Sequence, residues 1–367
     1  MFSKIDLKAL SEHSTPDRSF LTLVLPHTYS MKNLDKRFDK IRQALQIGET
    51  EKDELDYFNE NIRLVKDYLE KHPVKSGSLC LFVNWIADFF KACAIPVEME
   101  ALIRIDSSPY IRPLAELQDE YENVLVVIAD NNKARIFLMA SLAAADETVI
   151  HGHIKNHVRK GGWSQQRYER RRDKQLLHYA KDIVDAVTDI SRTDSFHRIV
   201  LVGGKEILQI VMDQLPQRFR EMAEKKAVDL GKSDDIIHQD IMAVFEEQER
   251  ASEQNLWETI RQEYLKGGLG IVGLSEVVKA VKIGQVDQVI VNRNFKPVGR
   301  RCRDCEHLET EPVDQCSKCG SLSLFEVDVV NEIVELLKMS GGEIEFTDPI
   351  DTLTRAGNIA AKLRYRI

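Results

Sequence analysis

Apolar residues come in two rhythms along this chain. Phe20-Leu21-Thr22-Leu23-Val24-Leu25 is nearly continuous, closes at Pro26 and predicts a buried strand. From about residue 30 to 71, Leu, Ile, Val and Phe are instead spaced among charged residues, which predicts helices. Ser78 to Ile86, entered through Gly77, predicts a second strand and Glu98 to Ile105 a third, with Asp106-Ser107-Ser108-Pro109 as a loop. Val124–Ala129 and Ala134–Met139 flank the polar Asn131-Asn132 and predict a hairpin. Glu147 to Ile154 follows as a strand. Gln165 to about Asp189 is a long helical stretch carrying Leu176, Leu177, Ile183, Val184 and Val187. Arg198–Val202 predicts a strand that turns at Gly203-Gly204 into a mostly helical stretch, residues 205 to 265. Leu274–Ile283, stopped by Gly284, is a helix; Val286–Val291 a strand; Val327–Met339, stopped by Gly341-Gly342, a helix; Glu343–Phe346 a strand.

Strands alternating with helices predict an α/β protein of three α/β domains. Their boundaries fall near Gln118 and at Gly267-Gly268 and Gly270, giving residues 1–117, 118–265 and 266–367. The length of 367 residues suits two or three domains, and 43% hydrophobic with 30% charged residues suits packed cores rather than disorder. The longest charge-free stretch, Ser19–Met31, has 13 residues, too short for a membrane helix, and no apolar signal core follows the charged first 18 residues. The expectation is a cytoplasmic protein with neither membrane nor DNA as partner.

Four of the six cysteines are grouped. Cys302, Cys305, Cys316 and Cys319 form two C-x2-C pairs ten residues apart, the spacing of a four-thiolate zinc ribbon inserted in the third domain at residues 300–320. A disulfide pair is the alternative, and the reducing cytosol disfavours it. Four thiolates close the coordination sphere, so a structural Zn2+ is expected rather than a catalytic one. Cys80 and Cys93 lie in apolar surroundings and read as buried structural thiols.

Charge is distributed unevenly. Residues 155 to 175 hold eight Lys or Arg and two acids, a local +6 in a chain of net charge −8. Here Lys160, Gly161, Gly162, Trp163, Ser164, Gln165 and Gln166 precede Arg167-Tyr168-Glu169-Arg170-Arg171-Arg172. Arg167, Arg170 and Arg171 share one face at helical spacing, and the glycines let backbone amides approach a ligand closely. A charge run is ordinarily a solvated face. The glycine pair, the tryptophan and the paired glutamines beside this one point to RNA phosphate contact. Val202-Gly203-Gly204-Lys205 lacks phosphate-loop spacing and reads as a strand-to-helix turn. No Ser nucleophile elbow is present, and His151, His153 and His157 read as polar edges of an extended segment.

With these residues in view, the chain resembles the class-I peptide-chain release factors of archaea and eukaryotes and their relative Pelota. Within that superfamily it is most similar to a bacterial and archaeal branch with a Gly-Gly-x-Ser-Gln loop. The resemblance rests on Gly161-Gly162 before the basic helix, on Pro109-Tyr110-Ile111-Arg112-Pro113-Leu114, on Val289–Arg293 after Gly284, and on Gly357-Asn358-Ile359-Ala360-Ala361-Lys362-Leu363-Arg364-Tyr365. Archaeal members can carry a zinc ribbon in that domain, as Cys302 to Cys319 would here. Two positions depart from the pattern. Trp163 stands where the family loop has Gln, with Gln165 two residues later, and the first domain has no Asn-Ile-Lys-Ser codon-reading motif. Asn61-Ile62-Arg63-Leu64 reads as ordinary helix.

The resemblance implies a ribosome-associated protein that hydrolyses the ester of peptidyl-tRNA in translation termination or in rescue of stalled ribosomes. Its catalytic residues would be Gly161, Gly162 and Gln165. Lys160, Trp163, Arg167, Arg170 and Arg171 would bind rRNA or tRNA, and a translational GTPase is a further expected partner. The alternative is a non-catalytic occupant of the ribosomal A site, Pelota-like or of hibernation type.

Overall fold

The computed structural model describes residues 5–47, 52–95, 97–120, 124–140, 143–151, 163–193, 196, 198–228 and 234–366. The protein is mixed α/β, with four separate sheets among the described residues.

The chain opens with α1 (Leu7–Ser11), β1 (Phe20–Pro26), α2 (Met31–Ile47), α3 (Lys52–Lys71), β2 (Ser78–Asn84), β3 (Phe89–Ile95), β4 (Leu102–Asp106) and α4 (Arg112–Glu120). The four strands form an antiparallel sheet in the order β3-β2-β1-β4. Phe58, Ile62, Val65 and Leu69 of α3 recur every three or four residues and bury against Leu21, Leu23, Leu81 and Val83. The pattern reading missed β3. Its turn, Trp85 to Asp88, is mostly apolar and carries no Gly or Pro; Asp88 takes the left-handed conformation instead, at φ 49°. Cys80 and Cys93 pair across β2 and β3 as free, buried thiols, and burial pushes the Cys80 thiol up to about 12.

The middle of the chain continues with β5 (Val124–Ala129), β6 (Lys133–Ala140), β7 (Ala143–His151), α5 (Trp163–Thr193), β8 (Arg198–Gly203), α6 (Lys205–Gln214), α7 (Gln217–Arg220), β9 (Ala223–Ala227) and α8 (Asp234–Leu265). The sheet order is β7-β6-β5-β8-β9, antiparallel on the β6 side and parallel from β5 through β9. The 205–265 stretch is therefore not all helical. Ala223-Glu224-Lys225-Lys226-Ala227 has no strand pattern, and its parallel pairing with β8 makes it one. Gly203 does sit at a strand-to-helix turn. Its φ is 140°, and a Cβ there would lie 1.9 Å from the Ala129 carbonyl oxygen, so only glycine lets β8 finish beside β5.

The last stretch adds β10 (Gly270–Val272), α9 (Leu274–Lys282), β11 (Val286–Asn292), β12 (Val298–Cys302), β13 (Leu308–Glu309), β14 (Leu324–Asp328), α10 (Val329–Ser340), β15 (Glu343–Thr347), α11 (Asp351–Arg355) and β16 (Ile359–Leu363). One sheet runs β10-β16-β11-β15 and a small antiparallel one β13-β12-β14. By compactness Glu120–Ser252 forms one unit, and Phe2–Asp119 with Glu253–Ile367 forms the other.

Within that second unit the two chain segments meet through buried polar groups on α10. Arg112 is 1% exposed. It donates to both carboxylate oxygens of Asp328 (3.2 and 3.0 Å), to Glu116 (2.7 Å) and to the Arg293 carbonyl (3.0 Å). Tyr110 Oη donates to Asp328 at 2.8 Å, and Asn331 Oδ1 accepts from the amides of Ile111 and Arg112. Removing one member would strand a buried charge, at a cost of about 3–5 kcal/mol.

Two further acids, Glu332 and Glu335, are buried in this layer. Ser108 Oγ and Asn331 Nδ2 both donate to Glu335 Oε1, at 2.7 and 2.6 Å. Burial raises Glu335 well above the ordinary carboxylate range. It also lifts Glu332 to about 7, with Asp106 and Asp328 adding to the rise and Arg301 opposing it. An acid whose folded pKa exceeds its ordinary 4.5 binds its proton more tightly when folded. Its contribution is complete at low pH and lost as pH climbs through about 7. Denaturant titrations at pH 5 and pH 8 are therefore expected to show the native chain losing, relative to Glu332→Gln, on the order of 2–3 kcal/mol across that window. Parallel behaviour of the two proteins would contradict it.

Candidate functional site

The basic segment is carried by α5, and its register sorts the arginines. Leu176, Tyr179, Ala180, Ile183 and Val187 are buried at helical spacing against Leu125, Val127, Ile199 and Leu201 of the sheet. Carried one turn back from Leu176, this stripe reaches Arg172. Arg172 is accordingly half-buried and donates to both Glu206 oxygens on α6, Nη1 at 2.8 Å; this hydrogen bond first of all raises its pKa. Arg172 fastens the helix. Arg170 and Arg171 point away from the stripe and are exposed, and Lys174 one turn on is exposed as well. Nothing in the sequence separates Arg172 from its neighbours except this phase.

Trp163, Gln165 and Arg167 fall in the first two turns of α5, so Gln165 lies inside the helix rather than before it. Arg167 precedes Arg170 and Arg171 by three and four residues. Lys160, Gly161 and Gly162 lie outside the described residues. What the geometry establishes is a helix braced at its apolar stripe, with the exposed guanidinium groups of Arg170 and Arg171 on its other side. Guanidinium groups on a rigid support suit phosphate oxygens, which they meet in bidentate fashion.

The four grouped cysteines do come together. All four Sγ atoms lie within 4.8 Å of one another, with Cys302–Cys319 at 3.5 Å and Cys305–Cys316 at 3.6 Å. These separations are far beyond a disulfide bond, and the thiols are free. Tetrahedral thiolates at about 2.3 Å from a metal would stand about 3.8 Å apart, so the cluster fits an ion. Burial opposes ionisation of Cys316, yet the backbone amides of Cys319 and Lys318 bring its thiol down to about 7, whereas burial raises the Cys305 thiol and, against the Ser321 amide, the neighbouring cysteines push Cys319 up to about 12.

In the first segment, Asn61-Ile62-Arg63-Leu64 is helix, as expected. Asn61 is buried, donates to the Ser19 carbonyl at 2.8 Å and accepts from the Trp85 amide at 2.8 Å. It ties α3 to β1 and to the end of β2, and is not available to a codon.

The sequence is similar to known proteins. Residues 109–253 match the family described as bacterial archaeo-eukaryotic release factor family 10. Peptide chain release factor subunit 1 of Methanocaldococcus jannaschii is 26% identical over 313 residues, 72% of this chain and 71% of that protein. The chain is similar to this release factor over most of its length. The Archaeoglobus fulgidus release factor subunit 1 is 24% identical over 284 residues, 71% of this chain and 70% of its own. Among solved structures of the superfamily, the archaeal translation termination factor aRF1 aligns over 98% of this chain and 96% of its own at 15% identity and a TM-score of 0.27. Dom34 of S. cerevisiae aligns over 79% of each chain at 13% identity and a TM-score of 0.46.

The metal reading is testable on the purified protein. Elemental analysis of the reduced chain is expected to find one metal ion per molecule, and Cys302→Ser with Cys316→Ser is expected to abolish it. Metal-free native protein would refute it.

Proposed function

We propose that this protein is a ribosome-associated, release-factor-like factor that hydrolyses the ester of peptidyl-tRNA in termination or in rescue of stalled ribosomes. The observation that carries this is the Gly-Gly loop leading directly into a braced helix with Arg170 and Arg171 exposed. Relatives named as peptide chain release factors over 72% of the chain support it. The partners are rRNA and peptidyl-tRNA, with a translational GTPase as a further candidate, in the cytoplasm. The functional division follows three stretches: 1–117 toward the decoding side without a codon motif, 118–265 for the ester, and 266–367 with a zinc ribbon. That ribbon would hold Zn2+ on Cys302, Cys305, Cys316 and Cys319, a role in stability rather than in chemistry.

The proposed mechanism needs no strong base. Water attacks the ester carbonyl and the tetrahedral oxyanion is met by amide donors; its collapse breaks the bond to the tRNA ribose oxygen, which leaves as a hydroxyl carrying a proton from the water, and the nascent peptide departs as a free carboxylate, its other proton going to solvent. Gly161 and Gly162 leave the backbone unobstructed beside the ester. The Gln165 amide both donates and accepts, which suits orientation of the water; an indole donates only. Trp163 stacks on a base, and Lys160, Arg167, Arg170 and Arg171 take phosphates.

Trp163 in place of glutamine favours the second reading, an A-site occupant without hydrolysis, and the same experiment separates the two. In single-turnover release from stalled ribosomes, Gln165→Ala is expected to slow the chemical step by about a hundredfold or more with binding retained, and Trp163→Ala to act mainly on binding. Unchanged release by Gln165→Ala, or no release by the native protein, selects the A-site occupant. Activity is expected on ribosomes without a stop codon; strict dependence on one would return codon reading to the first segment.

Binding offers an independent check. Arg170→Ala with Arg171→Ala is expected to weaken ribosome association and to flatten its log–log salt dependence by about one unit for each phosphate no longer neutralised. An unaltered slope would leave the helix a solvated face.

A further inference from the structure

Two arginines flank the first cysteine of the cluster, and both reach out of the small sheet into the N-terminal segment. Arg301 Nη1 donates to Ser107 Oγ at 3.3 Å and to Glu332 Oε2 on α10 at 3.2 Å. Arg303 donates to Asp17 at 3.3 Å and to Glu54 at the start of α3, with its guanidinium 5.2 Å from the Phe325 ring. Asp17, Glu54 and Ser107 all belong to the N-terminal segment, and Glu54 is 1% exposed.

The carboxylates they meet are poorly served without them. Glu54 Oε2 and Glu332 Oε1 are buried without a hydrogen-bond partner, as is Arg18 Nε beside Glu54. The other cation near Glu54 is Arg18, at 3.7 Å. A carboxylate this deep that loses Arg303 becomes a buried, underpaired charge, which loosens whatever buries it.

What positions the arginines is the fold of the cysteine cluster itself. Cys302 is the last residue of β12, opposite Leu324 of β14; its amide donates to the His307 carbonyl and that of Arg303 to the Ser323 carbonyl, each at 3.0 Å. The first cysteine of the cluster is thus covalently between the two arginines. Its ligand partner Cys319 comes from the loop that returns to β14, and β14 runs into Asp328, the N-cap of α10. Metal binding to a four-cysteine site of this kind is coupled to folding of the loop around it.

We infer that the cysteine cluster is a metal-dependent clasp: a bound ion sets β12, β12 sets Arg301 and Arg303, and these hold the Asp17, Glu54 and Ser107 side of the N-terminal segment onto the C-terminal segment. This rests on the metal reading above and extends it from local stability to the docking of the two chain segments. Arg112 and α10 hold the same segments from the linker side, so removing the metal opens the clasped edge and leaves the Arg112 side in place.

The test is hydrogen–deuterium exchange on the full-length reduced protein, zinc-loaded and chelator-treated, with zinc content measured on the same samples. Chelation is expected to speed exchange about tenfold or more at residues 15–20, 53–58 and 106–108 as well as in 300–325, with 124–228 unchanged. Zinc-loaded Arg303→Ala is expected to show the same loosening at 15–20 and 53–58 while its metal and the 300–325 protection remain. Chelating that variant should then add nothing at 15–20 and 53–58. Arg303→Lys keeps the charge but not both hydrogen bonds, and should fall between the two. Loosening confined to 300–325, or spread evenly into 124–228, overturns the clasp while leaving the metal site intact. An Arg303→Lys protein as well protected as the native chain overturns it also. Absence of zinc from the native protein overturns the metal reading itself, and the clasp with it.

Discussion

A fully buried arginine is the constraint on which one half of this molecule depends. Arg112 meets its charge with Asp328 and Glu116 and spends its remaining donor on the Arg293 carbonyl. Those partners lie on α4, at the N-cap of α10 and after β11, so satisfying one guanidinium brings three elements together. Tyr110 and the amides of Ile111 and Arg112 are satisfied by the same helix, through Asp328 and Asn331. Hydrophobic burial alone would let the two segments slide. A buried ion pair with directed hydrogen bonds admits one register, and it does so while adding little net stability of its own.

The same layer carries excess acid. Asp106, Asp328, Glu332 and Glu335 are all buried, against Arg104, Arg112 and Arg301 as nearby guanidinium partners. Protonation relieves part of that excess, since burial lifts Glu332 to about 7 and Glu335 well above the carboxylate range. Arg301 thus belongs at once to this acid layer and to the strand that ends in Cys302. The cysteine cluster and the docking layer are adjacent parts of one structure rather than separate features.

In the middle unit, support and exposed charge divide along a single helix. The stripe from Leu176 to Val187 fixes α5 to its sheet, and Arg172 extends that anchorage to Glu206. A preorganised support lets exposed guanidinium groups bind phosphates without first ordering their backbone. This is the physical basis for reading Arg170 and Arg171 as ligand-binding, and a run of basic letters would not supply it.

Long apolar rhythms and metal spacing were legible in the sequence. The strands β1, β5, β6 and β11, the helices α3, α5 and α9, and the gathering of four cysteines follow from local periodicity and from C-x2-C spacing, which act over a few residues. The similarity to release factors was legible too, through Gly161-Gly162 before the basic helix and through Pro109–Leu114. Tertiary structure decided the rest. β9 is a strand because β8 offers it a parallel partner, and β3 because Asp88 accepts a left-handed turn among apolar neighbours. That Arg172 braces while Arg170 and Arg171 face solvent depends on the phase of a buried stripe. That Arg112, Arg301 and Arg303 hold distant segments together depends on partners up to about 250 residues away in the chain. No local pattern encodes such partners, because a charge can be buried only where the fold has already placed its counter-charge.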